Sequence, residues 1–409
     1  MPDAEKLAAV RAALPSLGAG IYLNTGSAGP IPAESAAAVE EMTSWELRTG
    51  RASADYFDLF LERMAEARAG VAAILGADVD SVALNHATTD GMNVATWAID
   101  WRPGDRAVTT NHEHAGALGP LVAARDRFGV DLALADVGSG GDDERTIAAF
   151  DEAITPATRL VVLSHVLWTT GARMPVERIA EIAHDRGAMV AIDGAQAVGA
   201  IPVTVTETGA DLYAVAGQKW LLGPEGTGAL WVSPAAMEHA APSQVGWFSF
   251  ESIDLLGHAV FHHDARRFEA SNHHKPSVVG LARSCGWLSM YVGLPWIHAR
   301  GTALARSAMD RLARIPGVEL LTPRERMATL VTFRIAGWTA DAAMAELGSR
   351  VFAITRTIAP LDAIRISVGF FNSEAEIERF AGAVELLAAN TPESLPPKPR
   401  LTILGQEDG

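Results

Sequence analysis

Lys219 lies in Ala214-Val215-Ala216-Gly217-Gln218-Lys219-Trp220-Leu221-Leu222-Gly223-Pro224, an apolar run that would normally exclude a charged amine. Burial disfavours the protonated form of a lysine and lowers its pKa. The amine then becomes nucleophilic near neutral pH, as Schiff-base chemistry with a carbonyl requires. From this segment alone, a lysine that snorkels its amine into water is an equal reading. The neighbours must decide. Asp193 closes the apolar run Ala188-Met189-Val190-Ala191-Ile192 and is separated from Lys219 by one strand and its connection. A carboxylate at such a strand end can keep a pyridine nitrogen protonated, which makes the ring an electron sink. A turn or N-cap aspartate is the plainer alternative. Thr88-Thr89-Asp90-Gly91-Met92-Asn93 opens a helix after an apolar run. Hydroxyls and free amides there suit a phosphate, and simple capping is an equally common use. His114, in Thr110-Asn111-His112-Glu113-His114, sits past another strand end and could stack on a flat ring. His112 and His114 do not have HExxH spacing and no third ligand is evident, so no metal site is expected. The pairs His262-His263 and His273-His274 read as loop or interface residues.

The elements that must carry these groups follow from the pattern of apolar runs. Residues 30–75 read as two helices, 32–48 and 54–75, the second closed by Gly76. A β/α alternation then sets in. Strands are expected at 81–84, 107–110, 131–135, 160–164, 189–193, 212–216 and 228–232. Helices fall at 90–100, 116–128, 146–154 and 176–186, with Gly187 suited to end the last. Alternation of this kind implies an α/β fold with a mostly parallel seven-stranded sheet covered on both faces. Ligands on such sheets bind beyond the carboxyl ends of the strands. After residue 265 the pattern changes to long helices (277–294, 296–314), strands near 318–321, 328–335 and 364–368, and a helix near 341–347. The expected division is an N-terminal segment, 1–30, packing with the small domain; a large domain, 31–265; a small α+β domain, 266–390; and a Pro-containing tail, 391–409, that is poorly ordered or an extended arm.

With 409 residues the chain has ample material for a core, and its net charge of −16 argues against nucleic-acid or anionic-membrane surfaces. The single cysteine, Cys285, excludes an internal disulfide and a Cys-rich zinc site and fits a reducing cytoplasm. The start, Met1-Pro2-Asp3-Ala4-Glu5-Lys6, lacks signal-peptide features, and no uncharged apolar run approaches a membrane span. A soluble cytoplasmic protein is expected.

Together these segments resemble the class V, fold-type I enzymes that use pyridoxal phosphate (PLP), a family of cysteine desulfurases, isopenicillin-N epimerases and cyst(e)ine C–S lyases. The resemblance runs from about Leu23 to Glu376, and Asp193-Gly194-Ala195-Gln196 with Gly217-Gln218-Lys219 is its most specific part. It implies that Lys219 forms the Schiff base with PLP, that Asp193 holds the pyridine nitrogen, that Gln196 meets the ring 3-oxygen and that His114 stacks on the ring. Thr88, Thr89 and Asp90 would hold the phosphate. Where the family usually has Ser-Gly-His-Lys, this chain has Ala216-Gly217-Gln218-Lys219, so Gln218 must replace a histidine. Arg267-Phe268-Glu269-Ala270-Ser271-Asn272 resembles the segment that homodimers of the family donate to the neighbouring phosphate, with Asn272 where threonine is usual. The implied partners are a small amino-acid substrate and a second subunit that completes the active site.

The family's chemistries differ in what they need. Persulfide-forming desulfurases carry a cysteine on a loop before the carboxylate-binding arginine, and Arg356-Thr357-Ile358-Ala359-Pro360-Leu361-Asp362-Ala363-Ile364-Arg365 has none. Cys285 falls in a helical stretch and reads as a small core residue. Arg365 matches the arginine for the substrate α-carboxylate, with Arg356 as a second clamp or, alternatively, a surface ion pair. Ser164-His165-Val166-Leu167-Trp168-Thr169-Thr170-Gly171 and Val245-Gly246-Trp247 resemble the cystine C–S lyase branch, in which Trp168 would wall the cofactor. Simple core packing is the alternative for Trp168. The turn Asn24-Thr25-Gly26-Ser27-Ala28-Gly29 resembles the segment that closes over substrate, which assigns Ser27 and Ala28 to the substrate side. The expected reaction is β-elimination from cystine or an S-substituted L-cysteine. Epimerisation, transamination or decarboxylation-coupled oxidative deamination in a natural-product pathway is the alternative.

Overall fold

The computed structural model describes residues 3–270 and 272–398. Ser271 of the expected phosphate segment and the tail from Pro399 onward lie outside the described residues. The central sheet is built from β1 (Val82–Asn85), β2 (Arg106–Thr110), β3 (Asp131–Ala135), β4 (Thr158–Ser164), β5 (Met189–Asp193), β6 (Leu212–Ala216) and β7 (Gly228–Val232). Their spatial order is β1-β7-β6-β5-β4-β2-β3. Only β7 runs against its neighbours. The carboxyl ends of the other six therefore share one edge. The continuous apolar runs have a simple cause. Val161 and Leu163 enter the core on one face of the sheet while Leu160 and Val162 enter the core on the other, as the two-residue period of a strand demands.

Helices cover both faces and begin or end where local chemistry permits. Ala54–Leu75 starts with the Ser53 hydroxyl accepting from the Tyr56 amide and stops at Gly76 in the left-handed region (φ 64°). Ala115–Phe128 starts on His114, whose ring accepts from the Gly116 amide. Thr88–Trp97 has no side-chain cap; the Asp90 amide donates to the Ala87 carbonyl (3.0 Å), which leaves the amides of Thr88 and Thr89 open.

A second sheet, antiparallel and four-stranded, is formed by Val318–Leu320, Leu330–Ile335, Ala363–Ser367 and Arg356–Ile358, in that spatial order. The strand Arg356–Ile358, three residues long, falls in a stretch read from sequence as a loop. It sets Arg356 directly opposite Arg365. The second core gathers Leu304, Leu312, Phe333, Leu347, Phe380 and, from the N-terminal segment, Ile21 and Leu23. Val10, Leu14 and Leu17 belong instead to the first core, as do Val278, Leu281 and Trp287 of the long helical stretch. We therefore propose that the second unit begins within the helix Leu294–Ala313, because the apolar face of Lys275–Gly286 packs on Ala33–Thr49 and Ala54–Leu75. Ile21–Tyr22 pairs in parallel with Ala353–Ile354, and Asn24 bridges to Ser367. This threads residues 25–29 between the two units, over the shared strand edge. Leu395 packs on the second core and Pro396 accepts from Arg350, so the tail is laid down at least to Lys398. Among the described residues no helix is long and apolar enough to cross a membrane.

Candidate active site

The residues singled out around Lys219 lie at the strand edge or in the loops that cross it, except Arg356 and Arg365, which come from the second sheet, and Asn272. Lys219 follows β6 in a tight loop in which the Gly217 amide donates to the Thr227 carbonyl (2.9 Å) and the Gly223 amide to the Gly217 carbonyl (2.8 Å). A side chain at Gly217 would collide with Thr227, so only glycine allows this approach. Burial lowers the pKa of the Lys219 amine; Asp193 acts in the opposite direction, and the guanidinium groups of Arg365 and Arg356 lower it further. Asp193 is buried at the end of β5, and its Oδ1 accepts from the Ala195 amide (2.9 Å).

His114 feels burial first and then Lys219, both of which push its pKa down, with Asp193, Arg356 and Arg365 also within range. Its Nδ1 accepts from the Gly116 amide (3.1 Å), so the neutral ring carries its proton on Nε2. The ring stands edge-on to Trp168 at 5.5 Å and 89°. Trp168 in turn lies under the Arg356 guanidinium (5.7 Å), and its carbonyl accepts from Arg365 Nη1 (2.7 Å). Arg365 is fully buried, and burial with Arg356 opposite pulls its pKa down to about 9. Arg356 Nη1 reaches Ser27 Oγ at 3.3 Å, and Ser27 Oγ donates to Asn24 Oδ1 (2.8 Å). The Ala28 carbonyl accepts from the Tyr22 hydroxyl (2.8 Å). Thr25–Ala28 thus forms one wall, seated so closely that a Cβ on Gly26 would lie 2.8 Å from both Gln196 Oε1 and Ser367 Oγ.

Gln196 is committed on both sides. Its Nε2 donates to the Gly26 carbonyl (2.8 Å) and its Oε1 accepts from Trp220 Nε1 (3.0 Å). Gln218 holds the N-terminal wall through its carbonyl, which accepts from the Gly29 amide (2.8 Å). Thr88 and Thr89 stand at the open end of their helix. Asp90 is turned back, its Oδ2 accepting from the His86 amide (3.1 Å) and facing His86 Nδ1 at 3.1 Å. Asn272 is exposed and outside this cluster; its carbonyl lies 3.3 Å from His86 Nε2. His112 Nδ1 is paired with Thr169 Oγ1 (2.7 Å), and no group of three metal-ligating side chains occurs among the described residues.

Several buried polar atoms in this region have no partner among the described residues: Thr88 Oγ1, Trp168 Nε1, Gln218 Oε1, Ser367 Oγ, and Nε and Nη2 of Arg365. Buried polar atoms are normally hydrogen-bonded, so an orphaned set gathered around a depressed lysine marks a ligand's place. Glu113 has no sequence signal of its own beyond its place between the two histidines, where a two-residue period sends it to the opposite, buried side. Trp220 was visible only as an apolar neighbour of Lys219.

A model of the family described as aminotransferase class-V matches residues 21–380. The chain belongs to the class V aminotransferase family. Among its relatives, a probable cysteine desulfurase of Mycolicibacterium paratuberculosis is 31% identical over 337 residues, which cover 79% of this chain and 48% of that protein. The chain thus spans about half the length of that relative. The isopenicillin N epimerase of Streptomyces clavuligerus is 29% identical over 90% of this chain and 94% of its own. Among solved structures, a lysine variant of C-DES with glycine covalently linked to its PLP cofactor superposes with a TM-score of 0.87 at 25% identity, over 92% of this chain and 98% of that one. C-DES is described as a cystine C–S lyase whose reaction product is cysteine persulfide.

Proposed function

We propose that this class V enzyme uses PLP to catalyse β-elimination from cystine or an S-substituted L-cysteine, releasing a thiol or persulfide, pyruvate and ammonia. The residues present fit the cofactor. Lys219 supplies the amine, Asp193 the carboxylate for the pyridine nitrogen, and His114 the ring face. The hydroxyls and own amides of Thr88 and Thr89 supply an anion site at the open helix end, and Gln218 and, through the remaining N–H of its Nε2, Gln196 supply amides alongside. PLP, when bound, provides the electron sink for the pair left on the substrate's α-carbon.

The protein's own part is to bind, orient and move a proton. Arg365 presents Nε and Nη2, its unpartnered edge, to an α-carboxylate in the bidentate manner that guanidinium favours. The Lys219 amine, its pKa lowered by burial, is suited to take the proton from the α-carbon and to return it to a leaving group. Trp168 and the wall formed by Ser27 and Ala28 exclude water from that transfer. The observation that carries the choice of reaction is Cys285. It is fully buried in the first core, and burial pushes its thiol up to about 12, so it is no thiolate acceptor for sulfur. A β-elimination needs no such acceptor.

Epimerisation is a second reading, favoured by the near-complete overlap with the isopenicillin N epimerase. The assay that separates the two gives the enzyme cystine, S-alkyl cysteines and alanine. It follows pyruvate release, deuterium exchange at the α-carbon and CO2 release. Pyruvate from the sulfur compounds supports the lyase; exchange without pyruvate would replace it with the epimerase. We also propose a homodimer in which the exposed Asn272 reaches the neighbour's phosphate site. Sedimentation as a monomer at working concentration would overturn that.

A further inference from the structure

Glu113 is buried, while His112 and His114 on either side of it are half-buried. Its Oε1 accepts from Thr110 Oγ1 (2.8 Å) and the Ser164 amide (3.0 Å), and its Oε2 accepts from Ser164 Oγ (2.6 Å). Thr110 ends β2 and Ser164 ends β4, which are adjacent strands. Ser164 is also the register partner of Asp193 on β5, and the His165 amide donates to the Asp193 carbonyl (3.0 Å). One carboxyl group thus ties the ends of β2 and β4, the latter paired with the strand end that carries Asp193, to the loop that carries His114, the very next residue. This placement has a cost, since burial and the nearby Asp193 push the Glu113 carboxyl up to about 7 against the help of its three donors.

We propose that Glu113 is a positioning residue, whose accepted hydrogen bonds hold His114 and Asp193 in one fixed relation to each other. The proposal rests on the reading of this site as a PLP site. A displacement of about 1 Å at such a site can cost on the order of 100-fold in rate. Glutamine has the oxygen for Thr110 and the Ser164 amide and an NH2 that can donate to the Ser164 hydroxyl, so it can keep all three contacts. Alanine keeps none of them.

The test compares wild type, Glu113→Gln, Glu113→Ala, Ser164→Ala and the Glu113→Ala/Ser164→Ala double variant, each reconstituted with pyridoxal phosphate. Three quantities are read: visible absorbance for occupancy, visible circular dichroism per bound cofactor, and kcat with KM on an S-alkyl cysteine. Glu113→Ala is expected to lose roughly 10–100-fold in kcat per occupied site, with KM little changed and the visible dichroism weakened. Glu113→Gln restores kcat and dichroism, and the double variant is no worse than Glu113→Ala, as expected of residues acting through one network. Wild-type kcat and dichroism in Glu113→Ala would overturn the proposal. So would a Glu113→Gln as impaired as the alanine variant, a comparison that Ser164→Ala can stand in for should Glu113→Ala not fold. A normal wild-type visible band with unaffected variants defeats this inference alone. No band in wild type defeats the cofactor reading beneath it.

Discussion

Replacing Arg365 by methionine should weaken substrate binding and, at the same time, stabilise the substrate-free protein. The guanidinium is fully buried, with one bond to the Trp168 carbonyl and two nitrogens unpartnered. Its pKa falls from the ordinary 12.5 to about 9, through burial first and Arg356 second. That difference corresponds to about 5 kcal/mol held against the charged form. The sign is that of a base whose folded pKa is depressed: the penalty is present in full below about pH 9 and fades as pH rises toward 12.5. Methionine fills much of the volume without charge, but leaves the Trp168 carbonyl short of a donor, which costs about 1–3 kcal/mol. The net gain should be on the order of 2–4 kcal/mol, comparable with other replacements of buried charges by apolar side chains. In a chain of this size that raises Tm by a few degrees at pH 7–8. The substrate loses two charge-assisted hydrogen bonds of about 1.5–3 kcal/mol each, so KM should rise by roughly 100-fold or more. Differential scanning fluorimetry and steady-state kinetics on an S-alkyl cysteine read both effects. An unchanged KM removes Arg365 from the substrate site. A Tm lowered by several degrees refutes the claim that its burial is a cost kept for function.

Lys219→Ala should abolish the visible absorbance of the reconstituted protein's covalent cofactor and nearly all turnover; turnover near wild type would sink the assignment. Cys285→Ala should keep kcat while losing about 1–2 kcal/mol of stability in urea unfolding, because a small buried group is removed from the first core. A collapse of kcat with retained fold would point back to a sulfur relay. Glu113→Gln should gain stability over wild type as pH rises. The wild-type carboxyl, raised from 4.5 to about 7, is penalised only once it must ionise. The advantage should be absent near pH 4, grow through pH 5–7 and level off at about 3 kcal/mol above it. A pH-independent difference contradicts this. Glu269→Ala should cost about 3–5 kcal/mol in unfolding experiments, since it leaves the buried Arg68 unpaired and frees the Leu84 amide on β1. A loss under 1 kcal/mol would show the pair to be dispensable.

Lys219, Asp193 and His114 stand out in sequence as candidates for one reason: each puts a titratable group at the end of a run that burial alone explains. The seven strands were legible on the same grounds, since residues buried on both faces leave uninterrupted apolar runs. What escaped was long-range pairing. Gln196 gives its Nε2 to a carbonyl 170 residues earlier in the chain, which no local pattern announces. The strand Arg356–Ile358 is too short for alternation to register, and with it went the opposition of Arg356 to Arg365. The helix Lys275–Gly286 has an apolar face by its periodicity, but periodicity does not say which core receives it.

The opposed arginines bear on what the site is for. Like charges directly across an antiparallel pair are destabilising, and here one of them is also fully buried. Lys219 adds a third cation, and both guanidinium groups depress its pKa. Among the described residues, Asp193 is the only carboxylate of those that shape the pKa of both Lys219 and His114. A chain with net charge −16 has no shortage of acids, yet among the described residues Asp193 alone is set beside these cations. Such an arrangement is consistent with a site completed by an anionic ligand, whose carboxylate would relieve the repulsion on arrival. The repulsion also holds the Lys219 amine toward its neutral form until that ligand arrives. Under the proposed function, binding and proton abstraction would then be coupled through one electrostatic field: a carboxylate that offsets the arginines would also raise the affinity of the Lys219 amine for the proton it takes.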